Sequence, residues 1–261
     1  MSYNVHTLRI ADGSSTNRLD SLGLKFMSQV AYLGGNGDPS AIAAGTPGAG
    51  YQTIPTVAYA NKGSGASATA VANMGVVSAT VAAGGTGYTN GAQTLTGVSG
   101  TGTKFQAAVT VAGGIVTAVN SITVAGVYTV MPTLSGEATT GGGGTGATLN
   151  LSMGVVSYTA SYGSSNHQYP QGTTATLTGG TPTTAAVPGA VTVASVAGQG
   201  STIAVTGLTL PPKYCFLPGD MGQAGDSYLT NRTQSGFTIN IVPALTTQVL
   251  AAGSLDYALL Y

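Results

Sequence analysis

Three stretches of the chain repeat one another at intervals of about forty residues, and this repetition limits the fold more than any other feature. Each stretch has a glycine-rich turn with a tyrosine, then a run of alanine, valine and threonine, then a string such as Met-Gly-Val-Val-Ser. That string occurs verbatim at 74–78 and at 153–157, and the tyrosines Tyr51, Tyr88 and Tyr128 are separated by 37 and 40 residues. A random linker would not keep this register, so we expect each repeat to be one folded unit.

Each repeat reads as β-strands joined by tight turns. Residues 107–111 and 147–151 alternate apolar and polar side chains, which is typical of strands with one buried face. Gly113-Gly114 lies between two such runs, where a two-residue hairpin needs positive φ at both central positions. Gly75 and Gly154 follow a methionine at the corresponding place in their own repeats. The pattern therefore predicts a hairpin turn at all three places.

The predicted fold class is all-β, with stacked β-hairpin repeats over 47–206, a carboxy-terminal β module over 207–261, and an amino-terminal arm and helix over 1–46. A fourth, degenerate repeat is expected to start at Tyr169, because the Ala-Val-Thr-Val-Ala string of 108–112 recurs at 190–194. In the last segment, 237–241 alternates apolar and polar residues, and a second strand places one apolar face at Leu255, Tyr257, Leu259 and Tyr261. These strands predict a β-sandwich-like module.

An apolar stripe precedes the repeats and predicts a short amphipathic helix. The stripe recurs at steps of three and four and consists of Leu19, Leu22, Phe26, Val30 and Leu33. Thr16 or Asn17 is a suitable cap, and Gly34-Gly35 a suitable end. Gly23 weakens the prediction, since an interior glycine costs about 1 kcal/mol relative to alanine. Two alternatives stay open: the stripe is an interface that docks the chain onto a partner, or it packs against its own domain.

Charge excludes several classes of partner. Only 5% of the residues are charged, seven basic and seven acidic, and the net charge is zero. No basic cluster could follow a phosphate backbone, so nucleic acid is not an expected partner. No segment has the apolar length of a membrane span or the layout of a signal peptide, so neither a membrane nor secretion is expected. The glycine run 141–146 lacks the Lys-Ser/Thr of a phosphate-binding loop, and no cofactor is predicted.

Catalytic and metal-binding motifs are missing from the sequence, and the chain is not expected to be an enzyme. The two histidines, His6 and His167, lie far apart, and the seven acidic residues show no motif spacing. The single cysteine, Cys215, has no histidine near it in sequence and is expected to pack as a small apolar residue. A pair of carboxylates brought together only by folding is the arrangement that the sequence leaves open.

The repeat resembles those of virion proteins of tailed bacteriophages. The resemblance rests on Gly85-Thr-Gly-Tyr-Thr89, on the strand that follows, and on Gly113-Gly-Ile-Val-Thr-Ala-Val119. The ending Gly236-Phe-Thr-Ile-Asn-Ile241 is similar to carboxy-terminal β modules of the same proteins. The third repeat departs from the pattern, because Val127 stands where the second glycine belongs. Residues 1–46 carry no resemblance of this kind.

Such a resemblance implies a structural subunit of a virion, assembled as a homotrimer in the host cytoplasm. The candidate roles are a capsid decoration (cement) protein that binds the major capsid protein, a head fibre, and a tail fibre or adaptor that contacts the host. The compact chain has no long coiled coil or repetitive shaft, which favours decoration. A bacterial surface adhesin is the further alternative. The sparse charge agrees with assembly, since an unguarded β-sheet would aggregate as a free monomer.

Overall fold

The computed structural model describes residues 24–60, 68–162, 169–219, 221 and 223–260. Within these residues the chain forms eighteen strands and no helix, so the predicted all-β fold class is confirmed. The chain divides into a repeat unit, Gly37–Ala194, and a terminal unit made of Met1–Asn36 and Ser195–Tyr261. The predicted boundaries after residues 46 and 206 differ from this division, since Asn36 and Ser195 mark the change of unit.

The repeat unit contains twelve strands. They are β2 (Gly37–Ile42), β3 (Thr56–Tyr59), β4 (Thr69–Thr86), β5 (Gly91–Gly97), β6 (Thr101–Thr103), β7 (Gln106–Ala112), β8 (Ile115–Val124), β9 (Val127–Val130), β10 (Glu137–Gly141), β11 (Thr145–Ser161), β12 (Ala175–Thr178) and β13 (Val191–Ser195), with β1 (Leu24–Tyr32) preceding them in the terminal unit. Ten of the strands form one sheet: eight follow the order β12-β3-β4-β11-β10-β5-β7-β8, β9 pairs with β4, and β6 pairs with β9. Strands β2 and β13 pair separately. The sheet curls back on itself, and as a result Val116 of β8 lies against Gly84 of β4.

Two long antiparallel strands form the centre of this sheet. Strand β4 has 18 residues and β11 has 17, and they pair along nearly their whole length with three register shifts. The alternating runs predicted from the sequence are strands with the expected faces: Val109 and Leu149 are fully buried while Thr110 is exposed. The hairpin predicted at Gly113-Gly114 is confirmed, with φ of 63° and 79° and strands β7 and β8 on either side.

The hairpin turns predicted at Gly75 and Gly154 are wrong. Both glycines lie in the middle of the long strands, opposite each other in the β4–β11 pair. A Cβ at Gly75 would lie 3.0 Å from the carbonyl oxygen of Gly126, and one at Gly154 would lie 2.8 Å from that of Pro47. These positions need glycine because the turn that opens another repeat lies directly on the strand, and not because the chain reverses there.

The terminal unit packs two three-stranded sheets around one core. Its remaining strands are β14 (Ser201–Thr206), β15 (Cys215–Pro218), β16 (Gly225–Thr233), β17 (Gly236–Pro243) and β18 (Gly253–Leu260), arranged as β1-β18-β15 and β14-β17-β16. Strand β17 buries Phe237, Ile239 and Ile241, and β18 buries Leu255, Tyr257 and Leu259, in the same apolar cluster. This arrangement is the predicted sandwich-like module; Tyr261 lies outside the described residues.

The prediction of an amino-terminal helix is wrong for the residues that the structure describes. Residues 24–32 form strand β1, which pairs with β18 and sets Val30 opposite Leu255. Phe26 and Val30 of the predicted stripe also alternate with Tyr32 at even positions, so this part of the stripe fits a strand as well as a helix. Pairing with β18 decides between the two patterns, because a strand at this place satisfies the backbone groups along the edge of β18, which a helix would leave unpaired. The start of the stripe, Leu19 and Leu22, lies outside the described residues.

Candidate functional site

Four buried tyrosines connect the repeats through their hydroxyl groups. Each hydroxyl oxygen accepts a hydrogen bond from a backbone N–H far away in sequence: Tyr51 from Ala186 (2.8 Å), Tyr88 from Ala147 (3.1 Å), Tyr128 from Phe105 (2.9 Å) and Tyr169 from Ala68 (3.1 Å). None of the four side chains is more than 4% exposed. The fourth tyrosine, at the start of the degenerate repeat, has the same role as the other three.

The connections are reciprocal between pairs of repeats. The tyrosine of the second repeat binds the third, through Ala147, and the tyrosine of the third binds the second, through Phe105. The first and fourth repeats exchange the same bonds, through Ala186 and Ala68. Each hydroxyl bond joins two repeats that are distant in sequence. Loss of one such bond therefore weakens the contact between two whole repeats.

A glycine two or three residues before Tyr51, Tyr88 and Tyr128 lies against the same backbone group as the tyrosine hydroxyl. Gly48, Gly85 and Gly126 adopt left-handed φ values of 65°, 64° and 74°. A Cβ on these residues would lie 2.5, 2.5 and 2.9 Å from the amide nitrogens of Ala186, Ala147 and Phe105, respectively. The Gly-x-Gly-Tyr sequence is therefore a device for close backbone approach, with glycine giving the space and tyrosine giving the hydrogen-bond acceptor.

We expect replacement of a connecting tyrosine by phenylalanine to cost about 1–2 kcal/mol, because a buried N–H loses its acceptor. Tyr128→Phe leaves the amide of Phe105 unpaired, and Tyr88→Phe leaves that of Ala147 unpaired. Tyr162→Phe is the matched control: Tyr162 is 51% exposed, and its change should stay within about 0.5 kcal/mol. Urea unfolding of the three variants measures the losses. Equal losses in all three would contradict a special role for the buried hydroxyls.

The one charged residue of strand β10 holds a neighbouring loop from inside the protein. The carboxylate of Glu137, which is fully buried, accepts hydrogen bonds from the backbone N–H of Val98 (2.9 Å) and of Ser99 (2.7 Å), and from the Ser99 hydroxyl. Charge-assisted bonds of this kind are stronger than neutral ones. They fix the loop 98–100 between β5 and β6 and leave the side chain of Val98 half-exposed at its surface.

Lys104 holds the same loop from its other end. Its ammonium group donates to the carbonyl oxygens of Ser99 (2.7 Å) and Gly100, and it lies 5.9 Å from the centre of the Tyr128 ring. Burial raises the pKa of the Tyr128 hydroxyl; the bond from the Phe105 amide opposes this rise, and the charge of Glu137 adds to it. The phenol therefore stays protonated in the neutral range, as a tyrosine that only needs to accept a hydrogen bond should.

The surface of the repeat unit carries almost no charge. Gly37–Ala194 contains four charged residues, namely Asp38, Lys62, Lys104 and Glu137. The two carboxylates are buried, at 5% and 0% exposure, and the Lys104 ammonium is bound to carbonyl groups. Valines are exposed instead, among them Val71, Val98, Val124, Val127, Val130 and Val187. We name the exposed surface of the described residues of the repeat unit the uncharged surface, and it is the candidate functional feature of this unit.

The predicted interface residues are not brought together as a single helical stripe. Val30 lies in β1 and packs partly buried against the apolar core of the terminal unit, whereas Leu33, after the strand, is 63% exposed. Phe26 belongs to β1 as well, and Leu19 and Leu22 lie outside the described residues. Of the predicted set, Leu33 is the residue whose described side chain is free to meet a partner.

The candidate metal-ligating residues do not come together in the part of the chain that the structure describes. No group of three histidine, cysteine, aspartate or glutamate side chains is close enough there to hold a metal ion. Cys215 was expected to be buried, and the structure places it exposed on β15 instead, where it alternates with side chains of the core. Both histidines lie outside the described residues.

A groove in the terminal unit is a feature that sequence reasoning missed. Its volume is about 560 Å³, and its lining includes Lys213, Tyr214 and Arg232. The guanidinium of Arg232 lies 4.6 Å from the centre of the Tyr214 ring and donates to the Tyr214 carbonyl oxygen. Lys213 and Arg232 are nineteen residues apart in the sequence, and no motif joins them.

Comparison of the chain with protein-family models, with curated proteins and with solved structures finds no match. In the described residues there is also no helix of the length and apolarity that crossing a bilayer requires.

Proposed function

We propose that this protein is a non-enzymatic structural subunit of a tailed-bacteriophage virion, with capsid decoration as its role. In this proposal homotrimers coat the head and bind the major capsid protein through the uncharged surface. The resemblance of the repeats to those of virion proteins supports the class of protein. Only that resemblance supports the proposed homotrimer.

The observation that carries the proposal is the nearly complete loss of surface charge over the repeat unit. Ordinary soluble domains carry charged residues at about 25% of positions, and single β proteins protect their sheets with lysines and inward charges. Here Asp38 and Glu137 are buried, and Lys104 is bound to the backbone. Such a face is suited to contact with another protein over a broad area, because little charge must be desolvated when it is covered.

The internal connections support a role under mechanical or thermal load. Reciprocal tyrosine bonds join the first repeat to the fourth and the second to the third, so local opening of one repeat must break contacts with another. Stability spread over distant contacts resists local unfolding. A protein that reinforces a shell needs this property more than it needs a mobile active-site loop.

Electron microscopy of gold-labelled antibody on phage particles tests the location. The decoration proposal predicts label distributed over the head surface. Label confined to the tail or to fibres projecting from the particle would support the alternative, a tail fibre, adaptor or head fibre that contacts the host. A protein absent from particles and present on the bacterial surface would contradict the virion assignment and favour an adhesin.

We expect the purified protein to sediment as an oligomer, with about three times the 25.5 kDa mass of one chain. Sedimentation equilibrium at low and at high salt gives this mass directly. The mass should be the same in both, because contacts of an uncharged surface are not screened by ions. A monomer that stays soluble at high concentration would contradict the proposed homotrimer.

A further inference from the structure

The two cationic side chains described in the terminal unit line the same groove. Lys213 follows β14, and Arg232 lies near the end of β16 in the hairpin with β17. Both side chains are exposed, and Pro212, Thr233 and Gln234 complete the lining around the buried Tyr214. In a chain with only seven basic residues, this concentration of positive charge in one concave site calls for a physical explanation.

A β-bulge places Arg232 in the groove. The register of β16 and β17 shifts between Thr230 and Thr233, so that Asn231 and Arg232 together occupy the space of one paired residue. Asn231 has a left-handed φ of 51°, one of two non-glycine residues described with positive φ. Bulges of this kind change the direction of a side chain and are common next to binding sites.

Contacts with Tyr214 hold the guanidinium in position. Arg232 lies over the ring and donates through Nη2 to the Tyr214 carbonyl oxygen, while the Tyr214 hydroxyl donates to the Thr233 carbonyl oxygen at 3.2 Å. The bond from Nη2 uses one corner of the guanidinium, which has five N–H donors in all. The other donors are held in a fixed plane, ready for an acceptor.

Acidic groups do not neutralise the groove within the described residues. None of its lining residues is a carboxylate. Asp226 lies six residues before Arg232 on β16, which corresponds to about 20 Å along an extended strand. Asp256 lies on β18, where its carboxylate accepts a hydrogen bond from Gln29 at 2.8 Å. Among the described residues, the two charged side chains that line the groove are therefore both positive.

We propose that this groove binds a small sugar that carries an oxyanion, either a carboxylate (a sugar acid) or a phosphate (a sugar phosphate). The planar guanidinium of Arg232 matches the two oxygens of either group, and Lys213 adds a point charge beside it. Gln234 offers an amide of the kind that pairs with sugar hydroxyls, whereas the Thr233 hydroxyl already donates to the Gly236 carbonyl oxygen at 3.0 Å. The volume lies within the usual range for small-molecule sites, about 300–1,000 Å³. This inference does not depend on the proposed function.

Isothermal titration calorimetry of the full-length protein with four probes tests the proposal: D-glucuronate, D-glucose 6-phosphate, inorganic phosphate and D-glucose. At millimolar concentration the two anionic sugars should bind, and D-glucose should not. Arg232→Gln and Lys213→Gln should each weaken binding roughly tenfold, the effect of losing one charge-assisted contact. Lys62→Gln, which removes the same charge from the repeat unit, is the matched control and should bind as the wild type does.

The outcomes separate the parts of the proposal. The anionic sugar that binds more tightly shows whether the site prefers a carboxylate or a phosphate. Binding of inorganic phosphate as tight as that of the sugar phosphate would overturn the sugar component. Absence of binding by both anionic sugars, or unchanged binding in Lys213→Gln, would overturn the site itself. Because Arg232 also contacts Tyr214, the Arg232→Gln result is used only if this variant has the melting temperature of the wild type. If it does not, the Lys213→Gln variant provides the test, since Lys213 is exposed.

Discussion

Gly85→Ala is expected to destabilise the repeat unit by about 3–5 kcal/mol, more than any single change to a side chain on its surface. Gly85 has a φ of 64°, and a Cβ there would lie 2.4 Å from the carbonyl oxygen of Thr145 and 2.5 Å from the amide nitrogen of Ala147. Both are backbone atoms in β11 and cannot move without breaking the pairing with β4. Urea unfolding followed by circular dichroism measures the loss.

Gly113→Ala separates the two causes of that loss. Gly113 has nearly the same φ, 63°, but a Cβ there would meet no other atom within 4 Å. The variant therefore shows the conformational cost alone, about 1 kcal/mol. The difference between the two variants is the cost of forcing two strands apart. If both lose the same free energy, close backbone approach is not the reason for the glycine in the repeat.

Glu137→Ala should cost about 3–5 kcal/mol, the second-largest expected effect. The change removes the acceptor of the Val98 and Ser99 amides and of the Ser99 hydroxyl, and it leaves a cavity in a fully buried position. Denaturant unfolding gives the free energy, and hydrogen exchange at Val98 and Ser99 gives the location. The Ser99 amide should exchange much faster in the variant, whereas the Val98 amide, which also donates to the carbonyl oxygen of Ala138 (3.2 Å), should change less.

Glu137→Gln is the matched control for the charge. Glutamine keeps one acceptor oxygen for the two amides, and its amino group can donate to the Ser99 hydroxyl. We expect it to lose about half as much free energy as the alanine variant. Equal losses in the two variants would mean that the negative charge, and not the hydrogen-bond geometry, holds the loop.

The repeat period and the strands could be predicted from the sequence, because they depend on local patterns. Alternation at 107–111 and two adjacent glycines at 113–114 are enough to define a hairpin. The Met-Gly pairs at Gly75 and Gly154 look the same in sequence but lie within strands. A glycine needed for positive φ and a glycine needed to make room for a neighbouring turn look identical in the sequence, so the local pattern cannot distinguish them.

Strand β1 shows a second limit of local reasoning. Its apolar residues fit both a helix and a strand, and only the partner strand β18, more than two hundred residues later, selects the strand. Gly23 was the sequence signal against a helix. Pairing partners of this kind are fixed by tertiary structure and are not written in a window of sequence.

The candidate sites were the least predictable part. The tyrosines were visible as a repeating residue, but their exchange of bonds between the first and fourth repeats, and between the second and third, depends on how the long strands pair. The groove depends on a bulge that turns Arg232 toward Tyr214. The sparse charge was plain in the composition, but the burial of Asp38 and Glu137, which removes both described carboxylates of the repeat unit from its surface, was not.

The most direct test of the central claim is the salt dependence of binding to phage capsids that lack this protein. Occupancy, measured by quantitative gel analysis of purified capsids, should change less than about twofold between 0.1 and 1 M NaCl, although the screening length falls from about 10 Å to about 3 Å. Capsid melting temperature should rise with occupancy at both salt concentrations. A tenfold or greater loss of binding at high salt, or no binding to capsids at either concentration, would contradict docking through an uncharged surface.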